Sequence, residues 1–311
     1  MVSSILAPLA RRRATLGVAL LATALVSACG KNTTDSSANV VGGEVVTARV
    51  AKGPEFTSTV AITYDGALSQ GQSYCSGTLI DAKEKLVLTA AHCFQEAASG
   101  RHWVSFGTKV GGAGGVLRRA KAVVVHPDYD HALTIQAGRF SSPSHDVALL
   151  KFEGTVPEGF AATPLALAGE TLPRDLTLAG FGTTGTLRLD AKTGTPIVDR
   201  FGRPLTESDS GLLRRVEVGL VRAFSSGRVF DVRGKTARPQ GACPGDSGGP
   251  AYAITGGRWK VFGVLSTGLV GAVDVDGDGR LDVGCVGANT YTDVRAYREF
   301  LRKAAEVLRV R

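Results

Sequence analysis

The sequence predicts an all-β protein, on three observations. Short β-branched and aromatic runs such as Val123–Val125 and Lys260–Leu265 fall between glycine-rich turns, the pattern of strands separated by breaks in the chain. Forty glycines among 311 residues supply those turns. The last stretch departs from the pattern. From Val294 to Val310, Tyr297, Phe300, Leu301, Ala304, Ala305 and Leu308 recur at helical spacing with basic residues between them, which predicts a C-terminal helix with one apolar face.

Taken in order, residues 1 to 28 read as an export signal: Arg11–Arg13, then the apolar stretch Ala14 to Ala28. That stretch is shorter than the roughly 20 residues a membrane-spanning helix needs. Its end, Val26-Ser-Ala-Cys29, resembles a bacterial lipoprotein signal, in which Cys29 is acylated and becomes the new N-terminus. The alternative is simple secretion with Cys29 left as a spare thiol. Five cysteines make Cys29 the odd one, which favours the lipid. The arginine run alone speaks for a twin-arginine route. Residues 29 to 39 contain no large apolar group and read as a tether. The domain proper spans residues 40 to 311. Within it Leu86 to Leu88 reads as a buried strand ending just before His92, and Asp146 leads into a second apolar strand.

Gly241-Ala-Cys-Pro-Gly-Asp-Ser-Gly-Gly-Pro250 is the stretch that carries chemistry. Gly245, Gly248 and Gly249 admit positive φ and close approach of a substrate, so the NH groups of Gly245 and Ser247 can converge where an oxyanion would sit. Read alone, such a cluster is more often a flexible loop. A serine hydroxyl is a poor nucleophile without a base to take its proton and a third group to orient that base. The chain has five histidines. His92 lies in Leu88-Thr-Ala-Ala-His-Cys93 and Asp146 in Ser144-His-Asp-Val-Ala-Leu-Leu150. His145, beside Asp146, reads as a strand edge facing solvent.

These three segments, T-A-A-H-C, H-D-V-A-L-L and C-P-G-D-S-G-G-P in that order, resemble the trypsin/chymotrypsin family of serine endopeptidases, in which the residues follow the order His, Asp, Ser. The likeness runs from about Val40 to the C-terminal helix. It implies two packed six-stranded antiparallel β-barrels followed by a helix, with Phe181 at a strand end after the linker between barrels. It implies Ser247 as nucleophile, His92 as general base and then acid, Asp146 as the orienting carboxylate, and Gly245 and Ser247 as the oxyanion hole. Val40-Val-Gly-Gly-Glu44 resembles the family's activation site, where an activating protease frees an α-amino group that pairs with Asp246; the plain alternative is an ordinary strand and turn. Asn39 before the cut argues against a trypsin-like activator. With a lipid on Cys29, activation would also release the domain from the membrane. Four cysteines allow three pairings; the family pattern selects Cys75 with Cys93 and Cys243 with Cys285, against free buried thiols.

By the same resemblance, Gly241 and Ala242 form the floor of the substrate pocket, Ser266–Gly268 the strand that pairs with substrate, and Asn289 the opposite wall. An aspartate at the first of these positions would select lysine or arginine. Its absence predicts a preference for apolar side chains, unless an acid from the neighbouring insertion reaches in. That insertion carries Asp274, Asp276, Asp278 and Asp282 at the first, third, fifth and ninth positions with Gly279 at the sixth, which resembles the start of a calcium loop. Cys285 stands where the bidentate glutamate belongs, so a solvated acidic turn is the alternative to structural calcium. No cofactor is required for catalysis. A second insertion, about Thr183 to Ser210, reads as a polar surface loop, and Gly111–Gly115 as a turn lacking a nucleotide-binding context. The net charge of +8 and pI near 9.4 read as scattered surface charge, with attraction to anionic envelope surfaces the alternative, and without interleaved aromatics nothing points to a nucleic-acid site. The expectation is an exported serine endopeptidase acting on proteins or peptides, made as a zymogen and held at the cell envelope by its lipid or secreted after activation. The alternative is a catalytically silent binding protein on the same scaffold.

Overall fold

A computed structural model describes residues 43–47, 53–65, 73–94, 101–135, 144–183, 187–188, 195, 211–236, 240–273 and 282–311, and of 187–188, 269–273, 282–284 and 286 the backbone alone. Contacts divide the chain into Met1–Asp35 and Ser36–Arg311, and every described residue belongs to the second unit. The signal, the tether, Cys29, Val40, Asp274, Asp276 and Asp278 lie outside the described residues.

The strands form two closed barrels. In the first, β2 (Thr59–Tyr64), β3 (Cys75–Asp81), β4 (Leu86–Thr89), β5 (His102–Phe106), β6 (Val116–Val125) and β7 (Ala148–Phe152) pair in the order β2-β3-β4-β7-β6-β5 and close through β2 and β5. The second closes through β8 (Asp175–Gly180), β10 (Arg214–Ala223), β11 (Val229–Gly234), β14 (Asp282–Asp293), β13 (Arg258–Val273) and β12 (Pro250–Thr255), with β12 returning to β8. All pairings are antiparallel. Closure leaves few bare strand edges. Two short strands lie outside the rings: β1 (Glu44–Val45) on β10 and β9 (Leu187–Arg188) on β14. The second shows that part of the expected polar loop is paired.

The β-branched runs seen in the sequence fill these barrels because alternate side chains point inward. Register sets Leu79, Val87 and Leu150 on one face of the first barrel, where Phe106 packs edge-on against Phe152, and Phe230 stacks on Tyr291 in the second, all buried. Tyr252 joins them: its hydroxyl reaches Ser58 Oγ at 2.8 Å and Thr59 Oγ1 at 3.0 Å, so a phenol from β12 is satisfied by residues leading into β2. The Gly111–Gly115 turn joins β5 to β6, with Gly111 and Gly114 at positive φ.

Helices are few. A single turn, α1 (Pro54–Thr57), starts with Pro54 where its missing NH costs nothing, and α2 (His131–Ile135) is equally short. Neither was legible from periodicity. The C-terminal element begins as a 3-10 turn, Val294–Tyr297, capped by the Asp293 carboxylate accepting from Arg295 N at 3.0 Å. It continues as α3 (Arg298–Arg309), which buries Leu301, Ala304 and Leu308. The buried Lys151 of β7 donates to Leu308 O at 2.6 Å, a cation at the negative end of the helix. Among the described residues no helix is long and apolar enough to cross a membrane.

Candidate active site

β4 ends at Thr89, and the chain turns through Ala90 and Ala91 into a 3-10 turn that starts at His92. Small residues there let the turn pack against the Asp146 segment. Asp146 precedes β7 and is fully buried. It sits at the centre of a three-residue turn closed by Val147 N donating to His145 O at 2.8 Å. His145, at φ 53°, takes the strain. The Asp146 carboxylate accepts three hydrogen bonds: His92 N on Oδ1 at 2.9 Å, and His92 Nδ1 and Ser266 Oγ on Oδ2, both at 2.7 Å. Its main-chain carbonyl accepts from Thr292 Oγ1 at 3.0 Å. These bonds offset the cost of burying a charge. A carboxylate only accepts, so the Nδ1 proton is held there and Nε2 is left unprotonated, the tautomer of a general base.

Ser266, on the strand expected to pair with substrate, turns its hydroxyl to Asp146. The cause is a bulge in β13: Leu265 pairs with Tyr291 and Thr267 with Thr290, so Ser266 has no register partner. A bulge re-aims the side chain it carries. Nothing local in the sequence marks it.

The serine loop consists of two consecutive turns. Asp246 N donates to Cys243 O at 2.9 Å, with Pro244 second and Gly245 third at φ 94°, the residue pattern of a type II turn. Gly249 N then donates to Asp246 O at 2.8 Å, with Ser247 second and Gly248 third at φ 80°. The glycines therefore sit where the chain requires positive φ, and Ser247 is presented half-buried at the corner of the second turn. Within the described residues the NH groups of Gly245 and Ser247 donate to no protein acceptor, whereas those of Asp246, Gly248 and Gly249 are all paired. Ser76 of β3 holds the loop from the other barrel: its NH donates to Ser247 O at 2.7 Å and its hydroxyl to Gly245 O at 3.0 Å. No motif pointed to it.

Two disulfides frame this region. Cys75 with Cys93 joins β3 to the His92 turn, and Cys243 with Cys285 joins the serine loop to β14. Closing loops of 18 and 42 residues contributes about 3 to 4 kcal/mol each in the chain-entropy account. Cys75, His92 and Cys93 bring possible ligand atoms within 4.8 Å of one another. Both sulfurs are committed to the disulfide, so the trio is not a thiolate metal site.

Asp246 is buried and accepts from Gly182 N at 2.7 Å and Cys243 N at 2.8 Å. Burial pushes its pKa up to about 7, partly opposed by those two backbone donors. Among the described residues no cation faces it.

Gly241, Ala242, Gly268 and Asn289 come together beside this loop. Asn289 is buried; its Oδ1 accepts from Ala242 N at 2.9 Å and its Nδ2 donates to Ala242 O at 3.1 Å. A Cβ on Gly241 would lie 2.4 Å from Asn289 Oδ1, and one on Gly268 would lie 2.7 Å from Asn289 Nδ2. Both glycines thus make room for the amide, and all four residues are neutral. The acidic loop expected to hold calcium is only partly described: Asp282 opens β14, its backbone paired with Val273 and Arg188.

His145 is not a solvent-facing edge. Its ring stacks on His126 with centroids 4.8 Å apart, Tyr297 OH lies 3.2 Å from its Nδ1, and Phe300 covers His126 at 4.6 Å. Burial is the main cause holding both imidazoles below the usual histidine range, and the Arg228 guanidinium adds to it. The turn that carries Asp146 is thereby packed under the C-terminal helix.

Two closed six-stranded barrels, with a His–Asp pair on one and a glycine-rich serine loop on the other, define a trypsin-like architecture. A family profile described as Trypsin matches residues 45–277, and the chain belongs to the trypsin family. The chain is 28% identical over 243 residues to a trypsin of Sarcophaga bullata, covering 76% of this chain and 80% of that one. It is 26% identical over 157 residues to Trypsin CFT-1 of Choristoneura fumiferana, covering 50% of this chain and spanning only about half, 54%, of that relative. A solved structure, human heparin binding protein, superposes with a TM-score of 0.57 at 22% identity, covering 85% of this chain and 96% of the other. That likeness speaks for the fold alone.

Proposed function

We propose that the protein is a serine endopeptidase acting on proteins or peptides through Ser247, His92 and Asp146. One observation carries the reading: His92 is held with Nδ1 donated to a buried carboxylate, while the loop bearing Ser247 offers two unpaired NH groups at its corner. In this reading Ser247 Oγ attacks the peptide carbonyl and His92 Nε2 takes its proton. The tetrahedral oxyanion is held by the NH groups of Gly245 and Ser247. His92 then protonates the leaving amine, and water hydrolyses the acyl-enzyme by the same route. Among the described residues the edge of Ser266–Gly268 opposite β14 has no strand partner, which suits pairing with an extended substrate. The neutral setting of Gly241, Ala242 and Asn289 supports an apolar side chain before the scissile bond.

The test is covalent labelling by a fluorophosphonate on protein starting at Val40, beside the uncut chain and Ser247→Ala. Labelling confined to the cut, Ser247-containing form is the expected result. A folded, correctly cut protein that does not label sinks the reading and leaves a binding protein on the same scaffold.

Zymogen activation belongs to this proposal. A buried carboxylate facing only backbone donors is a costly arrangement, and an inserted ammonium from Val40 would relieve it. The consequence is a stability that depends on pH in the uncut protein. The folded-state pKa of Asp246 lies above the ordinary 3.8, so between 3.8 and about 7 the folded chain keeps a proton that the unfolded chain has lost. Stability therefore falls as pH rises through that window, by up to an order of 4 kcal/mol. Urea unfolding at pH 5 and pH 8 checks it: the uncut chain is expected to lose stability at the higher pH and the cut chain to lose far less. Equal losses in both would remove the pairing of Val40 with Asp246.

Export, a lipid on Cys29 and release on activation are part of the same proposal, resting on the leader. Calcium at Asp274, Asp276, Asp278 and Asp282 is a separate one; a thermal midpoint unmoved by a chelator would dismiss it.

A further inference from the structure

Ser76 is fully buried in β3, and each of its polar atoms is committed. Its NH donates to Ser247 O at 2.7 Å, and its carbonyl accepts from Thr89 Oγ1 at 2.8 Å. The hydroxyl receives Phe181 N–H at 3.0 Å. That leaves its single proton for Gly245 O, also at 3.0 Å. The hydroxyl is thus polarised in one direction, from β8's end towards the serine loop.

Gly245 is the residue on which the oxyanion site turns. At φ 94° it belongs to a turn of type II pattern, and the type I alternative, with the Pro244–Gly245 peptide rotated by half a turn and φ negative, would re-aim the Gly245 NH. The peptide that would rotate is held at its own carbonyl, Pro244 O accepting from Thr183 N at 2.8 Å. The Asp246 N to Cys243 O bond is common to both turn types. The Ser76 hydroxyl holds the next peptide through Gly245 O, so Gly245 is fixed on both sides and its φ is set between the two.

We propose that Ser76 is a positioning residue of the oxyanion site, its hydroxyl holding Gly245 in the positive-φ form so that the Gly245 NH meets the developing oxyanion. This rests on the endopeptidase reading above. Ser76 touches neither substrate nor reacting atoms; it acts through Gly245. The side chain can be removed without the main-chain bonds to Ser247 and Thr89, so Ser76→Ala isolates the hydroxyl.

The experiment uses cut protein starting at Val40. Ser76→Ala is expected to lower kcat roughly tenfold with KM within about twofold, and to weaken a peptidyl boronate, whose tetrahedral adduct places an oxygen in the same site, by the same factor. Ser76→Thr keeps the hydroxyl and is expected to stay near wild type in both. Thr89→Val removes the neighbouring buried hydroxyl bond to Ser76 O; it is expected to lower the thermal midpoint while leaving kcat and boronate affinity in place. The proposal is overturned by a Ser76→Ala protein with unchanged kcat, by one whose kcat falls while boronate affinity holds, or by a folded Ser76→Thr protein that loses both as fully as alanine. It is overturned equally if Ser76→Ala and Thr89→Val behave alike. A wild type that fails to react with a fluorophosphonate is a different failure: the endopeptidase reading goes, and this proposal with it.

Discussion

If the endopeptidase proposal holds, Asp146→Asn is expected to lower kcat by roughly 10⁴-fold with little change in the fold, as the same change does in the family template. The reason lies in which donors can reverse. Oδ1 faces the backbone NH of His92, which can only donate, whereas Oδ2 faces His92 Nδ1 and the Ser266 hydroxyl. An asparagine must put its NH2 group at one of these places. Against the backbone NH it would set donor against donor, so it turns the other way and keeps its oxygen on His92 N. The hydroxyl of Ser266 rotates to accept. The imidazole can satisfy the new donor only by moving its proton from Nδ1 to Nε2, and a ring protonated at Nε2 cannot take a proton from Ser247. Steady-state kinetics with a peptide ester check the size of the loss, and a thermal midpoint within a few degrees of wild type checks that the loss is one of tautomer. A variant that keeps a tenth of the wild-type kcat would remove Asp146 from the orienting role.

Gly248→Ala is the second large effect, on stability first and activity with it. Its φ of 80° already disfavours a side chain. A Cβ there would also lie 2.1 Å from Thr89 Oγ1, 2.5 Å from Ser76 O and 2.8 Å from Ala90 N. Two of those three atoms are backbone and cannot swing aside. Strain and overpacking together are expected to cost about 3 kcal/mol or more, read as a drop in the urea midpoint and a loss of fluorophosphonate labelling. Gly256→Ala is the control: its φ of 56° is comparable and nothing lies within 4 Å of the added carbon. It is expected to cost about 1 kcal/mol and to leave labelling intact. Equal costs at the two positions would show that backbone strain alone decides, with no contribution from the contact between barrels.

What could be read without coordinates was whatever is encoded locally. The strand periods, the Pro-Gly and Ser-Gly turns and the apolar face of Leu301, Ala304 and Leu308 depend on neighbours a few residues away, and they were legible. His92, Asp146 and Ser247 stood out as candidates only because each sits in a distinctive short segment. Ser76 and Ser266 were not legible. One is a serine in a buried strand and the other the unpaired residue of a bulge, and both act on partners more than a hundred residues away. His145 was misread for the same reason: what covers it comes from His126 and Tyr297, neither adjacent in sequence. The strand Leu187–Arg188 within a polar insertion exists because β14 offers it an edge, which no composition reveals.

The end of the chain is a clasp. β14 belongs to the second barrel, yet the helix that follows it packs on β6 and β7 of the first, and Lys151 of β7 grips its last turn. His92 and Asp146 ride on one barrel and Ser247 leads into a strand of the other. The two barrels are therefore joined at several places: by Ser76 on the serine loop, by Tyr252 on Ser58 and Thr59, and by the C-terminal helix. A protein built in this way leaves the end of its chain holding its two halves together.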